Sequence, residues 1–358
     1  MINVTQTFLP PIQEFEKILK RAWDKKWMTN RGELLLELES KLANYLNVSN
    51  FFITTNGTLP LQIALKTLNI TKEVITTPFS YVATTSAIVW ENCTPVFVDI
   101  ECDMLTIDPA KIEAAITGNT EAILATHVFG NPCDIEAIEH IAKKHNLKVI
   151  YDGAHCFAVN YKGKSIFSYG DIITTSFHST KLFHTGEGGA IFVPDDALYK
   201  KCYYHHNFGH NGPLDYHGLG INAKASEMQA AVGLSVLPYI DDIIEKRKIL
   251  TEHYEALLQK NKNVTLFNFR ASTERNYSYM PVVFKDEAYL KLVLEKLAAL
   301  KIYPRRYFYP SLNKLPYLLN SVSMPISEDI CNRIVCLPLY FELEKQQVAE
   351  ICSVINSI

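Results

Sequence analysis

The stretch FFITTNGTLPLQIALKTL, residues 51–68, decides the fold. It opens with a short apolar run, Phe51–Thr54, turns through Thr55-Asn56-Gly57-Thr58, and continues from Leu59 to Leu68 with apolar residues at helical spacing. A buried strand that runs straight into a helix is the first half of a βαβ unit. The alternation recurs downstream. Strand candidates stand at Glu73–Thr76, Pro95–Val98, Ala122–Thr126 and Lys148–Tyr151, with helical patterns at Ala83–Trp90 and Asp134–His145. Such repetition predicts an α/β fold with a mainly parallel central sheet flanked by helices. Two shorter β-like pieces follow, Ile172–Ser176 and Gly189–Val193. Upstream, Glu33–Leu46 reads as an amphipathic helix with Leu35, Leu38, Leu42 and Leu46 on one side.

Further along, a Gly-, His- and Asn-rich stretch from His205 to Asn222 leads into a helix from about Lys224 to Leu237. Pro238 marks a kink or boundary there, and a second helical pattern runs on to about Lys260. A strand at Tyr279–Phe284 and helices at Asp286–Leu300 and Leu343–Ile355 then fit a smaller α+β domain. The expected division is residues 1–238, a large domain with an N-terminal helical segment, and 239–358, a small C-terminal domain. The length of 358 residues agrees with two domains, and 48% hydrophobic residues supply ample core.

Lys and Arg number 35 against 38 Asp and Glu, so neither nucleic acid nor an anionic membrane is expected as a main partner. No apolar run approaches the roughly 18–20 residues of a membrane span. The start, MINVTQTFLPPIQEFEK, lacks a basic stretch followed by an apolar one, so no secretory signal is expected. The eight cysteines include no C-x-x-C pair, and Cys331 and Cys336 have no second pair to complete a zinc site. Reduced thiols in a cytoplasmic protein, with no metal, are the expectation.

Open parallel sheets bind ligands beyond the carboxyl ends of their strands. After the first strand, Asn56-Gly57-Thr58 opens a helix whose free N–H groups suit a phosphate; an ordinary cap, with Thr58 capping and Gly57 turning, is the plainer reading. Asp152 ends an apolar strand, where an acid is costly unless it meets a cation or hydrogen bonds. It suits a metal, a ribose, a protonated ring nitrogen or a helix cap. Lys181 follows Ser176-Phe177-His178-Ser179-Thr180 and precedes Gly186-Glu187-Gly188-Gly189-Ala190. Singly, each of these has a bland explanation. Together, a phosphate-binding helix end, a strand-end acid and a later lysine are the parts that pyridoxal phosphate requires. Tyr81 follows the second strand and is placed to stack on its ring.

These segments resemble the DegT/DnrJ sugar aminotransferases, a branch of the fold-type I pyridoxal phosphate enzymes. The resemblance covers nearly the whole chain. It includes Thr77 to Thr84, Asp152-Gly153-Ala154-His155, and Gly220-Ile221-Asn222 through Glu227 to Ala231. It implies pyridoxal 5'-phosphate as cofactor and a role for each matching residue. Lys181 is the Schiff-base and catalytic lysine, and Asp152 the partner of the ring nitrogen. Thr58 and the Gly57–Leu59 backbone cradle the phosphate with the Ser176 hydroxyl. Tyr81 stacks on the ring, and His155, where Gln is commoner, faces the phenolic oxygen. Asn222 reaches the phosphate held by a neighbouring subunit, which implies a homodimer with shared active sites.

The resemblance also implies L-glutamate as amino donor, a nucleotide-linked keto sugar as acceptor, and alternating use of one site. The start Ile2-Asn3-Val4-Thr5 and the tail from Pro304 to Pro310 resemble enzymes that make dTDP-4-amino-4,6-dideoxyglucose from dTDP-4-keto-6-deoxyglucose, a deoxyamino sugar of lipopolysaccharide O-antigen. A 3-aminotransferase is the alternative, and a non-catalytic cofactor-binding protein on the same fold a further one. Arg305 and Arg306 are candidates for the diphosphate, a surface pair being the plainer reading. Asn313 stands where relatives often carry His. Gly218-Leu219-Gly220-Ile221-Asn222-Ala223 fits a dinucleotide fingerprint but follows loop sequence rather than a strand, so it is set aside.

Overall fold

Seven strands form the central sheet in a computed structural model of the chain, which describes residues 1–318 and 322–358. Across the sheet they run Phe51–Thr54, Gly189–Phe192, Ile172–Ser176, Lys148–Asp152, Thr120–Thr126, Glu73–Thr76 and Thr94–Phe97. Gly189–Phe192 is antiparallel to both neighbours; every other pairing is parallel. Phe51–Thr54 and Gly189–Phe192 are buried at every position, as expected for strands covered by helices on both faces. This is the expected α/β architecture. The strands at 51–54, 73–76 and 172–176 have the expected bounds. The third strand is Thr94–Phe97, one residue earlier than Pro95–Val98, because its register is set by pairing with Glu73–Thr76.

Local chemistry fixes several helix ends. The helix expected from Lys224 begins at Glu227, since Ser226 takes the cap position: its hydroxyl accepts from Gln229 N–H, while the Gln229 side chain accepts from Ser226 N–H. Pro238 sits in a single 3-10 turn, Leu237–Tyr239, that joins this helix to Ile240–Leu258. The helices Ile12–Lys25, Asp196–His206 and Pro325–Arg333 had no counterpart in the sequence pattern. They are polar over much of their surface, burying fully only Ala22 in the first and Cys202 and His206 in the second.

The C-terminal part builds its own antiparallel sheet from Val264–Leu266, Met280–Phe284 and Ile334–Leu337. Leu250, Tyr254, Leu258, Phe284, Leu297 and Ile351 form a core beneath it. Burying each such side chain contributes about 1.5–3 kcal/mol. Ile2–Asn3 pairs with Ile302–Tyr303, and Ile2 enters this core, so the first residues of the chain pack with its last third. A further cluster, with Phe79, Phe129, Phe308, Val283 and Ile334, joins the two parts beside the carboxyl ends of the central strands.

Candidate active site

A cavity of about 220 Å³ opens where the central strands end. Its floor comes from residues at or just beyond the ends of those strands, including Asn56, Gly57, Thr58, Tyr81, Asp152 and Ser176. Tyr279, Arg305, Tyr307 and Phe308 close it from the C-terminal part. Gly57, Thr58, Tyr81, Asp152, His155, Ser176 and Lys181 all line it. Leu59 and Asn222 do not.

The turn after the first strand is tight. A Cβ on Gly57 would stand 2.7 Å from the Ser176 Cβ, so only glycine brings this loop against the Ser176 hydroxyl. The helix cap differs from expectation. Asn56, not Thr58, caps Leu59–Thr67: Asn56 Oδ1 accepts from the N–H groups of Thr58 and Leu59, both at 2.9 Å. Short Asn side chains reach back over the first turn in this way. Two N–H groups of the expected phosphate cradle therefore already have a partner.

Asp152 is buried. Its Oδ2 accepts from the Thr84 hydroxyl at 2.7 Å and its Oδ1 from Ala154 N–H at 3.0 Å. Burial pushes its carboxyl above the usual range, against those two donors and the Lys181 charge. Among the described residues no cation lies within 4 Å of it. Thr84 continues into a chain of hydroxyls, with Ser80 at 2.7 Å and Thr126 2.9 Å beyond Ser80. Since Thr84 gives its proton to Asp152, Ser80 donates to Thr84 and Thr126 to Ser80. All three are buried. Sequence reading missed this chain; the hydroxyl-rich run from Thr77 to Thr85 was its only signal.

His155 is buried beside Phe129 and Phe308, with ring centroids 6.1 Å and 5.7 Å away and nearly parallel planes. Its Nδ1 accepts from Phe129 N–H at 3.0 Å, which leaves the proton on Nε2. Burial holds its pKa well below the usual histidine range, so the ring is a neutral donor. Lys181 donates to the Tyr279 hydroxyl at 3.2 Å, and burial lowers the pKa of its amine. Tyr279, on the C-terminal part, was not anticipated from sequence. Nor was Gln229, whose side-chain N–H groups reach the carbonyls of Thr55 at 2.9 Å and Glu187 at 2.7 Å, tying together two loops at the cavity.

Asn222 stands on an exposed excursion from His206 to Ala223. That segment is tied by its own backbone bonds, with Asn207 bridging Asn222 and His210 bridging Tyr216. Phe208, Leu214, Tyr216, Leu219 and Ile221 are exposed along it. Asn313 is buried outside the cavity, donating to the Val322 carbonyl and to Glu328, both at 2.8 Å. Among the described residues there is no cluster of three His, Cys, Asp or Glu placed to hold a metal, and no helix long and apolar enough to cross a membrane.

The DegT/DnrJ/EryC1/StrS aminotransferase family matches residues 12–356. The chain belongs to that family. This DegT/DnrJ/EryC1/StrS aminotransferase is 40% identical to the dTDP-4-amino-4,6-dideoxy-D-glucose transaminase of Escherichia coli, over 98% of this chain and 96% of that one. It is 38% identical to the enzyme of the same name from Shigella dysenteriae, over 100% and 99%. A crystal structure of DesI in the presence of its TDP-sugar product matches with a TM-score of 0.94 and 30% identity, over 99% of this chain and 92% of that one.

The cofactor of the family member is pyridoxal phosphate, and the cavity fits it. A buried carboxylate without a cation suits a protonated ring nitrogen. The Nε2–H of a neutral His155 suits a phenolic oxygen, and the lowered amine of Lys181 suits capture of a carbonyl. Gly57 lies against Ser176, and both line the cavity together with Thr58, a polar lining that suits a phosphate.

Proposed function

We propose that this aminotransferase moves the amino group of L-glutamate to C-4 of dTDP-4-keto-6-deoxyglucose, giving dTDP-4-amino-4,6-dideoxyglucose. The observation that carries the reading is its full-length likeness to two enzymes of that activity. When bound, pyridoxal phosphate supplies a carbonyl for amine capture and a ring that spreads the charge left by removal of a C–H proton. The chain supplies the rest. Asp152, fixed by Thr84 and Ala154, holds a proton on the ring nitrogen. Lys181 would take the α-proton of the amino donor at Nζ, as a base, and afterwards give it back, as an acid. Its depressed pKa leaves more of the amine free to act as a base near neutral pH.

His155 donates from Nε2 to the phenolic oxygen, and Tyr81 covers one face of the ring. The Gly57–Leu59 backbone, Thr58 and Ser176 hold the phosphate, the Asn56 side chain giving up its two N–H donors to it. Phe308, Tyr279 and Tyr307 exclude water from above. Asn222 serves the phosphate of a second copy in a homodimer; its exposure and the uncovered apolar side chains around it support this. On this reading residues 1–238 are the cofactor-binding domain and 239–358 the smaller one. The enzyme works in the cytoplasm, a compartment its eight free cysteines support, on a precursor of O-antigen lipopolysaccharide.

The test is incubation of the cofactor-loaded enzyme with L-glutamate and, in separate reactions, dTDP-4-keto-6-deoxyglucose and a dTDP-3-keto-6-deoxyhexose, with mass spectrometry and NMR of the products. An amine at C-4 is expected. An amine at C-3 of a dTDP-3-keto sugar, with none formed at C-4, would refute the assignment.

A further inference from the structure

Arg305 and Arg306 are adjacent in sequence and opposite in fate. Arg306 is consumed by the fold. Its guanidinium lies 3.4 Å from Glu287, donates to the carbonyls of Cys331 at 3.2 Å and Asn332 at 3.0 Å, and sits 3.7 Å from the centre of the Tyr309 ring. Arg305 has none of these ties. Its backbone is clamped to Cys336 in both directions, N–H to carbonyl at 3.1 Å and the reverse at 2.9 Å, which fixes its Cα beside the strand Ile334–Leu337. Its side chain lines the cavity, with the guanidinium 4.7 Å from the centre of the Tyr307 ring. Among the described residues no carboxylate lies within ion-pair distance of it.

The other charged groups of the cavity are already engaged. Asp152 is held by Thr84 and Ala154, Lys181 rests on Tyr279, and Glu187 lies 3.6 Å from His178. A permanently charged fork that is anchored at its backbone, steered by an aromatic ring and left without a counter-ion is a site for an oxyanion. We propose that Arg305 binds the anionic group of a substrate in this cavity. The inference rests on the transaminase reading, under which both substrates carry such a group. One is the carboxylate of L-glutamate and the other the diphosphate of the nucleotide sugar. A planar guanidinium takes either of them in two parallel hydrogen bonds.

The test uses cofactor-loaded wild type, Arg305→Met, which keeps the stem and removes the charge, and Arg305→Lys, which keeps the charge and loses the fork. Calorimetry measures binding of two unreactive probes, dTDP for the diphosphate and glutarate for the carboxylate. Arg305→Met is expected to weaken at least one probe by about 10- to 100-fold, as for a charge-assisted pair, and Arg305→Lys to recover part of the loss. Loss of dTDP assigns the site to the nucleotide sugar, and loss of glutarate assigns it to the amino donor. Loss of both means that the two substrates use it in turn. An unchanged cofactor spectrum shows that the fold holds. If both probes bind Arg305→Met within twofold of wild type, the proposal is overturned. If wild type aminates no dTDP-keto sugar, the functional reading fails by itself, and the glutarate measurement still decides the role of Arg305.

Discussion

Replacing Thr84 with valine removes one hydroxyl and nearly preserves the shape of the side chain. In the native protein that hydroxyl gives its proton to Asp152 Oδ2 at 2.7 Å, in a site where the carboxyl is only 5% exposed. Burial already pushes Asp152 toward its protonated form. A hydrogen bond to a buried charge is worth about 1.5–3 kcal/mol. At about 1.4 kcal/mol per unit, its loss raises the Asp152 pKa by about 1–2 units. Ser80 loses its acceptor as well. A carboxyl that is more easily neutralised holds the ring-nitrogen proton less well. The acid limb of the kcat/KM profile should therefore move to higher pH by about 1–2 units, and the loss of activity should be greatest on that limb. Thr84→Ser, which keeps the hydroxyl, should restore both. Infrared difference spectra of the cofactor-free protein supply a readout apart from turnover, because the band of a protonated carboxyl that vanishes in Asp152→Asn should persist to higher pH in Thr84→Val. If the pH profile and the band both coincide with wild type, the hydroxyl chain does not tune Asp152.

Lys181→Ala should abolish transamination and leave the fold intact by circular dichroism, since among the described residues its amine bonds only the Tyr279 hydroxyl; turnover near wild type would show that another group does its work. Asp152→Asn should slow turnover by orders of magnitude yet stabilise the cofactor-free protein at neutral pH. The folded carboxyl titrates above its unfolded value of about 3.8, so its contribution is present at low pH and lost as pH rises through the folded pKa, and melting curves from pH 4 to 8 should diverge accordingly. Acid should act through the buried histidines. His127 is depressed to about 3 and His155 lies well below 6.5, so stability present above pH 6.5 should fall as pH drops toward 4, by up to about 1.4 kcal/mol per pH unit for each, as denaturant titrations would reveal. Mixing Asn222→Ala with Lys181→Ala subunits should restore part of the activity if each is severely impaired alone, because one site of the mixed dimer would hold both native residues; a fully active monomer in the ultracentrifuge would rule out shared sites.

The alternation of strands and helices was legible because it is written locally. Phe51–Thr54 is a short, mainly apolar run before a polar turn, and its full burial leaves its bounds little freedom. Asp152 and Lys181 were legible for a related reason: a charge at the end of a buried strand, or in a run of small polar residues after one, is chemically out of place unless it has work to do. Asn222 was legible only by resemblance, since it lies away from the cavity of its own chain. Helices such as Ile12–Lys25 bury so little that their pattern scarcely differs from that of a loop.

The sequence by itself determined the fold class and the titratable groups of the site, because side-chain periodicity and the cost of burying charge are properties of short segments. Only the tertiary structure decided which groups meet. It laid the strand of Asp152 beside the strand that ends at Thr126 and brought Thr84 over the carboxyl, making one directed chain of hydroxyls. It put Tyr279 against Lys181 across about a hundred residues of chain, and it sent Arg305 to the cavity while tying Arg306 to Glu287. Those contacts depend on strand order, register and the docking of the C-terminal part. They are set by the summed burial of the whole chain, and no local pattern around either partner encodes them.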